Sequence, residues 1–310
     1  MFRYIVIRLF QGFLVIFFIS VITFGIMRLL PGDPVFLLLG EGQIQITEEQ
    51  IQAIRAKWGL ALPLYQQYWV WVQSMFRGDF GVSLVRTGVP IRQMIEEAAP
   101  VTLMLNGLAL LLSLVVAIPA GIIAAIRRNS VFDYVTAFGS TLGVALPNFW
   151  LGLMLIILFA VYLDFVPPFG LRTWQGYILP IVVLATEQTA VLTRVMRSSM
   201  IEVLGEDYMR TAVSKGLPQR LVVIRHAVRN ALLPVVSVIG FRIAFLLSGT
   251  IVVETVFALP GIGRLLTDSV FRLDYQVVQS IVVILSVLVV IVNLLTDLVY
   301  VIIDPRIRIN

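Results

Sequence analysis

The 310-residue sequence contains no cysteine and only one histidine, His226. Without cysteine there can be no disulfide framework and no thiolate metal site. A single histidine removes almost all zinc and haem chemistry as well, although a metal held by carboxylates alone is not excluded. Charge is also scarce, because only 13% of the residues are Asp, Glu, Lys or Arg. That share is about half of what soluble domains carry, which indicates a membrane protein.

Long apolar runs account for the mean hydropathy of +0.96. A membrane-spanning helix needs about 20 mostly apolar residues. Six runs qualify, at about 9–29, 102–126, 134–161, 178–199, 231–253 and 277–303. They are too continuous for barrel strands, and the first is longer than the apolar part of a secretory signal and lacks a cleavage pattern. We predict an all-α polytopic membrane protein with six transmembrane helices.

Motifs for energy conversion and hydrolysis are missing. A P-loop requires a lysine directly after glycine, but the only two lysines, Lys57 and Lys215, follow alanine and serine. The sequence contains neither HExxH nor G-x-S-x-G. We therefore predict no catalytic residue, no metal site and no cofactor in this chain, and a membrane-embedded enzyme is unsupported.

Basic residues are distributed asymmetrically about the six runs. Seven Lys or Arg residues lie between positions 194 and 229, and further basic residues stand at 3, 8, 127, 128, 306 and 308. The short loops on the other side are nearly neutral, with Glu254 counted among their acids. The positive-inside rule then places both termini and residues 194–230 in the cytoplasm. The net charge of +5 is explained by this topology, so nucleic-acid binding is not expected.

Three regions follow from this topology. Residues 1–29 are the cytoplasmic N-terminus and first span, residues 30–101 are an extracytoplasmic helical region, and residues 102–310 hold the remaining five spans. In the outer region "ITEEQIQAIRAKWGL" predicts one helix, and Pro63 through Arg77, followed by Gly78, predicts another. The aromatic residues of this region fit either the membrane interface or a small aromatic core. These residues are Trp58, Tyr65, Tyr68, Trp69 and Trp71.

The basic segment "GEDYMRTAVSKGLPQRLVVIRHAVRN", residues 205–230, predicts two helices. The first has carboxylates in its first turn, Lys215 in its last, and Gly216 at C′. Pro218 suits position N1 of the second helix. An apolar stripe is expected there at Leu221, Ile224, Val228 and Leu232, with Arg220, Arg225 and Arg229 off the stripe. Without further information, positive-inside charge alone explains this segment as a solvated face that sets orientation.

Residues 200–234 resemble the EAA loop of ABC importer permeases. Arg210, Thr211 and Ala212 occupy the E-A-A positions, Gly216 the glycine, and residues 233–234 the later L-P. The first two positions depart from that pattern in the manner of the dipeptide/oligopeptide/nickel permease family, which also includes glutathione permeases. Further similar stretches are "RLLPGDP", "PLYQQYWVW", "RGDFGVS", "ALPNFWLGLMLI", "VVETVFALPGIGRLL" and "DPRIR". The layout is most similar to that of the first, B-type permease subunit.

The resemblance implies an importer in the cytoplasmic membrane of a bacterium or archaeon. The expected partners are a homologous second permease, two cytoplasmic ABC ATPase subunits that use ATP and Mg²⁺, and an extracytoplasmic solute-binding protein. It implies that the EAA loop couples to the ATPases and that a transmembrane cavity alternates between the two sides. The coupling residues would be Asp207, Arg210, Thr211, Ala212, Lys215, Gly216, Leu217 and Pro218. A small Ala212 and a turn at Gly216 would suit docking in a partner's groove.

Three ionisable residues lie within the apolar runs, namely Glu187, Arg242 and Asp297. Each needs a partner or water, because a charge near mid-bilayer costs about 2.5–3.5 kcal/mol on insertion scales. Asp297 fits a structural role near the interface. Arg242 has two readings: it lines the cavity and meets a substrate carboxylate, or it pairs with Glu187 and ties two spans together.

The candidate substrate pathway comprises Glu187 and Arg242 together with Pro147 and Asn148 in the third run. Pro147 within that run implies that neighbouring helices surround it. The rival function is an ion-coupled secondary transporter or channel that uses Glu187 and Asp297.

Overall fold

A computed structural model describes residues 2–29, 62–86, 88–171, 173–216 and 218–303, without the side chains of residues 2–5, 213, 243–249 and 297–303. The α-helices in chain order are α1 Phe2–Leu29, α2 Leu64–Phe76, α3 Ile91–Ile126, α4 Val131–Ala145, α5 Asn148–Leu155, α6 Ile178–Gly205, α7 Asp207–Ser214, α8 Arg229–Val256, α9 Ile262–Phe271 and α10 Tyr275–Ile303. A π-helix Ile156–Tyr162 continues α5, a 3₁₀-helix Trp174–Tyr177 precedes α6, and a helical turn Gln219–Leu221 with a π-helix Val222–Val228 precedes α8.

The all-α polytopic prediction is confirmed. Within the described ranges, five helices are long and apolar enough to cross a membrane, or six if the bent pair Val131–Ala145 and Asn148–Tyr162 forms one span. The described chain divides into two compact units, one comprising Met1–Pro100 and Arg264–Val290, the other Val101–Gly263 and Ile291–Asn310.

The third run is not the continuous helix that the sequence predicted. Helix α4 ends at Ala145 and α5 begins at Asn148, with a bend of 103° between the two halves. Leu146 has an extended ψ of 121°, the conformation that a residue before proline prefers. Pro147 itself lacks the N–H that would continue the helical hydrogen bonds. The local backbone preference therefore divides this run in two.

In the first unit, two aromatic residues of α2 pack against α1 and two are exposed. Tyr68 and Trp71 pack against Phe24 of α1, with ring centroids 5.5 and 5.9 Å away, and the Tyr68 hydroxyl hydrogen-bonds Ser20 at 2.8 Å. The remaining described pair, Tyr65 and Trp69, is exposed. Helix α2 begins and ends one residue inside the predicted bounds, with Pro63 as its N-cap and Arg77 as its C-cap. The helix expected from "ITEEQIQAIRAKWGL" and Trp58 lie outside the described residues.

A buried aspartate organises the other part of the first unit. Asp274, between α9 and α10, accepts hydrogen bonds from the Ser83 hydroxyl and from the backbone N–H groups of Leu84 and Val85. Three donors around one carboxylate satisfy a charge that would be costly to bury alone. The turn before α3 is thereby fixed to the start of α10.

In the second unit, α6 packs against α3, α4 and α8. Glycine allows two of these approaches. A Cβ on Gly121 of α3 would lie 2.7 Å from Met196 Cβ, and one on Gly143 of α4 would lie 2.9 Å from Ala190 Cβ. Small residues bring helix backbones close together, which is how helices commonly associate in membranes.

Candidate functional site

The first half of the EAA loop is the helix α7, Asp207–Ser214. Asp207 stands in its first turn, where a carboxylate interacts favourably with the helix dipole. The helix is followed by Gly216 with a φ of 75°, the left-handed conformation predicted for its C′ position. Pro218 is the N-cap of the turn Gln219–Leu221, so its predicted place at N1 is wrong by one residue.

Most of the predicted coupling residues are exposed on one continuous stretch of surface. They are Asp207, Arg210, Thr211, Lys215, Gly216 and Pro218. Leu217 lies outside the described residues. Arg210 and Asp207 form an ion pair of 3.7 Å, but both side chains are largely exposed, so the pair contributes little to stability. This surface is therefore available to a partner.

Ala212 differs from the other coupling residues because it faces the interior of its own unit. It is 7% exposed, and with Met209 it packs into a cluster that includes Met196, Met200 and Ala227. Its small side chain thus permits α7 to lie close to α6 and the π-helix. Ala212 therefore packs within its own unit and is not part of the exposed surface of the loop.

The second half of the EAA loop buries only part of the predicted stripe. Val228 and Leu232 are half-buried against the core cluster, as expected. Ile224 is exposed, as is Leu221, whereas the buried residues are Val222, Ala227, Ala231 and Val235. The first two are five positions apart and the others four, because a π-helix takes one more residue per hydrogen-bonded ring than an α-helix. The predicted stripe assumed α-helical periodicity throughout.

Three arginines of this half, Arg220, Arg225 and Arg229, are exposed as expected. The helical segment runs from Gln219 through the π-helix into α8 without a break. The exposed basic surface of the loop is consequently rigidly connected to the fifth apolar run.

The four candidate pathway residues lie together. Arg242 of α8 donates a hydrogen bond from Nη1 to Glu187 Oε1 of α6 at 2.7 Å. Asn148, the first residue of α5, donates from Nδ2 to the other carboxylate oxygen of Glu187 at 3.5 Å. Pro147 is the N-cap of α5 and immediately precedes Asn148. The predicted Arg242–Glu187 ion pair is confirmed, whereas the side chain of Asp297 lies outside the described residues.

Sequence reasoning missed a buried network around Glu254. Its side chain is 0% exposed, and the hydroxyl of Thr102 donates to its Oε1 at 2.6 Å. The same hydroxyl accepts from the backbone N–H of Ile262 at 2.8 Å. A Cβ on Gly261 or Gly263 would lie 2.2 or 3.0 Å from the Glu254 carboxyl group. The glycines thus leave room for the carboxylate.

Glu254 therefore does not belong among the outer-loop charges, where charge counting placed it. Helix α8 continues to Val256 and carries Glu254 in its last turn. The sequence signal for the burial of Glu254 was "ETVFALPGIG", in which this acid is followed by two nearby glycines.

A second ion pair ties α4 to α6 in the same unit. Arg197 donates from Nε and Nη2 to the two carboxylate oxygens of Asp133 at 2.5 and 2.7 Å. Asp133 also accepts from the backbone N–H of Asn129 at 3.0 Å. The Asp133 side chain is only 4% exposed. Bidentate geometry and burial are typical of a structural pair.

The apolar helices, the broken third run and the charged residues within apolar runs define a polytopic helical membrane protein with the features of a transporter. Residues 117–309 match the family described as the inner membrane component of binding-protein-dependent transport systems. Residues 1–106 match the N-terminal region of such membrane components. The chain belongs to this family of binding-protein-dependent transport system inner membrane components.

Two curated relatives are similar over nearly the whole chain. The oligopeptide transport system permease protein AppB of Bacillus subtilis (strain 168) is 41% identical over 315 residues, covering 98% of this chain and 99% of the relative. The glutathione transport system permease protein GsiC of Escherichia coli (strain K12) is 40% identical over 309 residues, covering 99% of each.

Family membership confirms the resemblance found in the sequence. The chain is a permease subunit of an ABC importer and a multi-pass inner membrane component. A binding-protein-dependent system implies a solute-binding protein and an ATPase as partners. The ion-coupled transporter that was the rival reading is not supported.

Proposed function

We propose that this permease imports peptides or similar small solutes into the cytoplasm by alternating access. The names of the two relatives, an oligopeptide permease and a glutathione permease, support this substrate class. ATP hydrolysis with Mg²⁺ would occur in separate ATPase subunits, while this chain would bind no cofactor and catalyse no reaction. Its organism would be a bacterium or an archaeon.

The complete importer would contain a homologous second permease and two cytoplasmic ATPase subunits, with a solute-binding protein on the outer face. Both termini and the EAA loop, residues 200–234, would lie in the cytoplasm. The excess of basic residues on that side supports this orientation. Residues 30–101 would then form the extracytoplasmic region, and residues 102–310 would form the permease core.

The observation that carries the coupling role is the construction of the EAA loop. Its turn at Gly216 and Pro218 is exposed, while Met209 anchors α7 in the core of the unit. The Tyr208 hydroxyl also accepts a hydrogen bond from Asn230 at 2.9 Å. An ATPase that moves the turn would move α7 and the helical segment leading into α8 as one body. Such a body can transmit a displacement to the transmembrane helices.

The coupling role is tested by changing the conformation of the turn without crowding it. Gly216 has a φ of 75°, and a Cβ there would meet nothing within 4 Å. A Gly216→Val chain would pay about 1–2 kcal/mol for the left-handed backbone, which β-branched residues rarely adopt. A Gly216→Asn chain is the matched control, because asparagine tolerates this conformation.

We expect Gly216→Val to lose co-purification of the ATPases and ATP-driven uptake, although its level in the membrane stays near that of the wild type. Gly216→Asn should retain both activities. If the valine variant retains ATPase binding and uptake, the turn is not the docking element.

A further inference from the structure

The Glu187–Arg242 pair lies at membrane depth in the second unit. Arg242 is near the middle of α8, about 20 Å from either end at 1.5 Å per residue. Glu187 is about 14 Å from the start of α6 by the same measure. Charges at this depth are costly, and they normally face a bundle interior or a water-filled cavity.

The Glu187–Arg242 and Asp133–Arg197 pairs differ in the exposure of their carboxylates. Glu187 is 37% exposed and Asp133 only 4%, whereas the two arginines are exposed to a similar extent, Arg242 to 26% and Arg197 to 28%. Arg242 contacts Glu187 through one nitrogen, while Arg197 donates hydrogen bonds to both carboxylate oxygens of Asp133. A pair that only ties helices together would gain from the burial and bidentate geometry seen at Asp133. The half-buried Glu187–Arg242 pair, joined by a single contact, retains capacity to bind a further group.

The helix break provides a second, independent observation at the same place. Ala145 and Pro147 are exposed where α4 ends and α5 begins, and Asn148 reaches Glu187 directly. Non-helical backbone at membrane depth is tolerated only where protein buries it or where it lines a water-filled cavity. Exposed non-helical backbone beside a half-buried ion pair fits the wall of a hydrated cavity. In several transporters, substrate sites lie at such discontinuous helices.

We propose that Arg242 and Glu187 bind the charged termini of a short zwitterionic peptide. A guanidinium has five N–H donors, and the contact with Glu187 leaves donors free for the peptide's α-carboxylate. The carboxylate of Glu187 likewise has acceptor sites beyond those used by Arg242 and Asn148, and these take the α-ammonium group. Without substrate the two side chains neutralise each other.

The spacing of the pair selects for short peptides. An extended chain spans at most about 3.3–3.6 Å per residue. The two termini of a dipeptide are therefore close enough to engage both members of a pair whose nearest atoms are 2.7 Å apart. Longer extended peptides would reach only one member at a time. This inference rests on the proposed function, because it names the substrate class of that importer.

The test uses the complete importer in proteoliposomes, with its solute-binding protein, and measures ATP-dependent uptake of radiolabelled dialanine. The variants are Arg242→Gln, Arg242→Lys, Glu187→Gln and the double variant Glu187→Gln/Arg242→Gln. The control is Arg197→Gln, which breaks the buried pair. Dialanine binding to the isolated solute-binding protein is measured separately, so that the delivery of substrate is known.

We expect Arg242→Gln to assemble normally and to lower dialanine uptake about tenfold or more, the effect of losing a hydrogen bond between charged groups. Arg242→Lys should restore part of the uptake, and the double variant should remain as poor as the single ones. C-terminally amidated dialanine lacks the carboxylate that Arg242 would bind. If the wild type transports this peptide, Arg242→Gln should change its uptake little. Arg197→Gln should instead lower the amount of assembled complex.

Recovery of dialanine uptake in the double variant would show a structural tie, since the neutral pair leaves no unpaired charge, and would overturn the proposal. Unchanged uptake in Arg242→Gln would overturn it as well. Absence of ATP-dependent uptake in the wild type, with a solute-binding protein that binds dialanine, would instead contradict dipeptide import itself.

Discussion

Replacing Thr102 by valine should destabilise the second unit far more than replacing it by serine. The Thr102 hydroxyl donates to Glu254 and accepts from the N–H of Ile262, and all three groups are buried. Valine has nearly the same shape but leaves the Ile262 N–H without this acceptor and removes one donor from a buried carboxylate. Each loss costs about 1–3 kcal/mol, so the sum is about 2–6 kcal/mol.

Serine at position 102 keeps the hydroxyl and loses only a methyl group, at a cost of about 1 kcal/mol. The assay is size-exclusion chromatography of the purified, fluorescently tagged chain after heating. The melting temperature is the temperature at which the monodisperse peak falls to half of its height. The central difference between the two variants is about 3 kcal/mol. At about 2–4 °C per kcal/mol, Thr102→Val should melt about 6–12 °C below Thr102→Ser. Equal melting temperatures for the two variants would refute the view that this hydroxyl holds the segment before α9 to α8.

Two further predictions concern helix packing in the second unit. Gly121→Ala should lower the thermal stability of the purified chain, because its Cβ would press on Met196, whereas Gly107→Ala on the same helix meets nothing within 4 Å and should melt like the wild type. Asp133→Ala should lower the membrane level of the chain more than Asp133→Asn, since alanine leaves Arg197 with no hydrogen-bond partner at this position. Quantitative immunoblots of membranes measure the second effect, and equal levels would contradict it.

Local signals predicted the elements whose boundaries depend on adjacent residues. The helix α2 follows Pro63 and ends before Gly78, and α7 is followed by a left-handed Gly216, as the sequence indicated. These features arise from backbone preferences of proline and glycine, which act within a few positions. The Arg242–Glu187 pair was also predictable, because two opposite charges in an apolar medium gain strongly from contact.

Features that depend on distant contacts could not be predicted. The burial of Glu254 results from a partner 152 positions away, Thr102. The buried face beginning at Val222 depends on a π-helix, and the periodicity of the sequence does not predict a π-helix. The break at Pro147 was misjudged for a different reason. A proline within a spanning helix is often accommodated by its neighbours, and sequence alone does not say when the helix instead stops.

The division of the third run has a consequence for how the protein is made. The halves Val131–Ala145 and Asn148–Tyr162 each extend about 22 Å, less than the hydrocarbon core of about 30 Å. Neither half can cross the bilayer alone, and their bend shortens their combined reach. Their contacts with α6 and α8 come from residues that the ribosome adds later, Arg197 among them. The packing of the third run is therefore completed only after helices that are translated later have joined it.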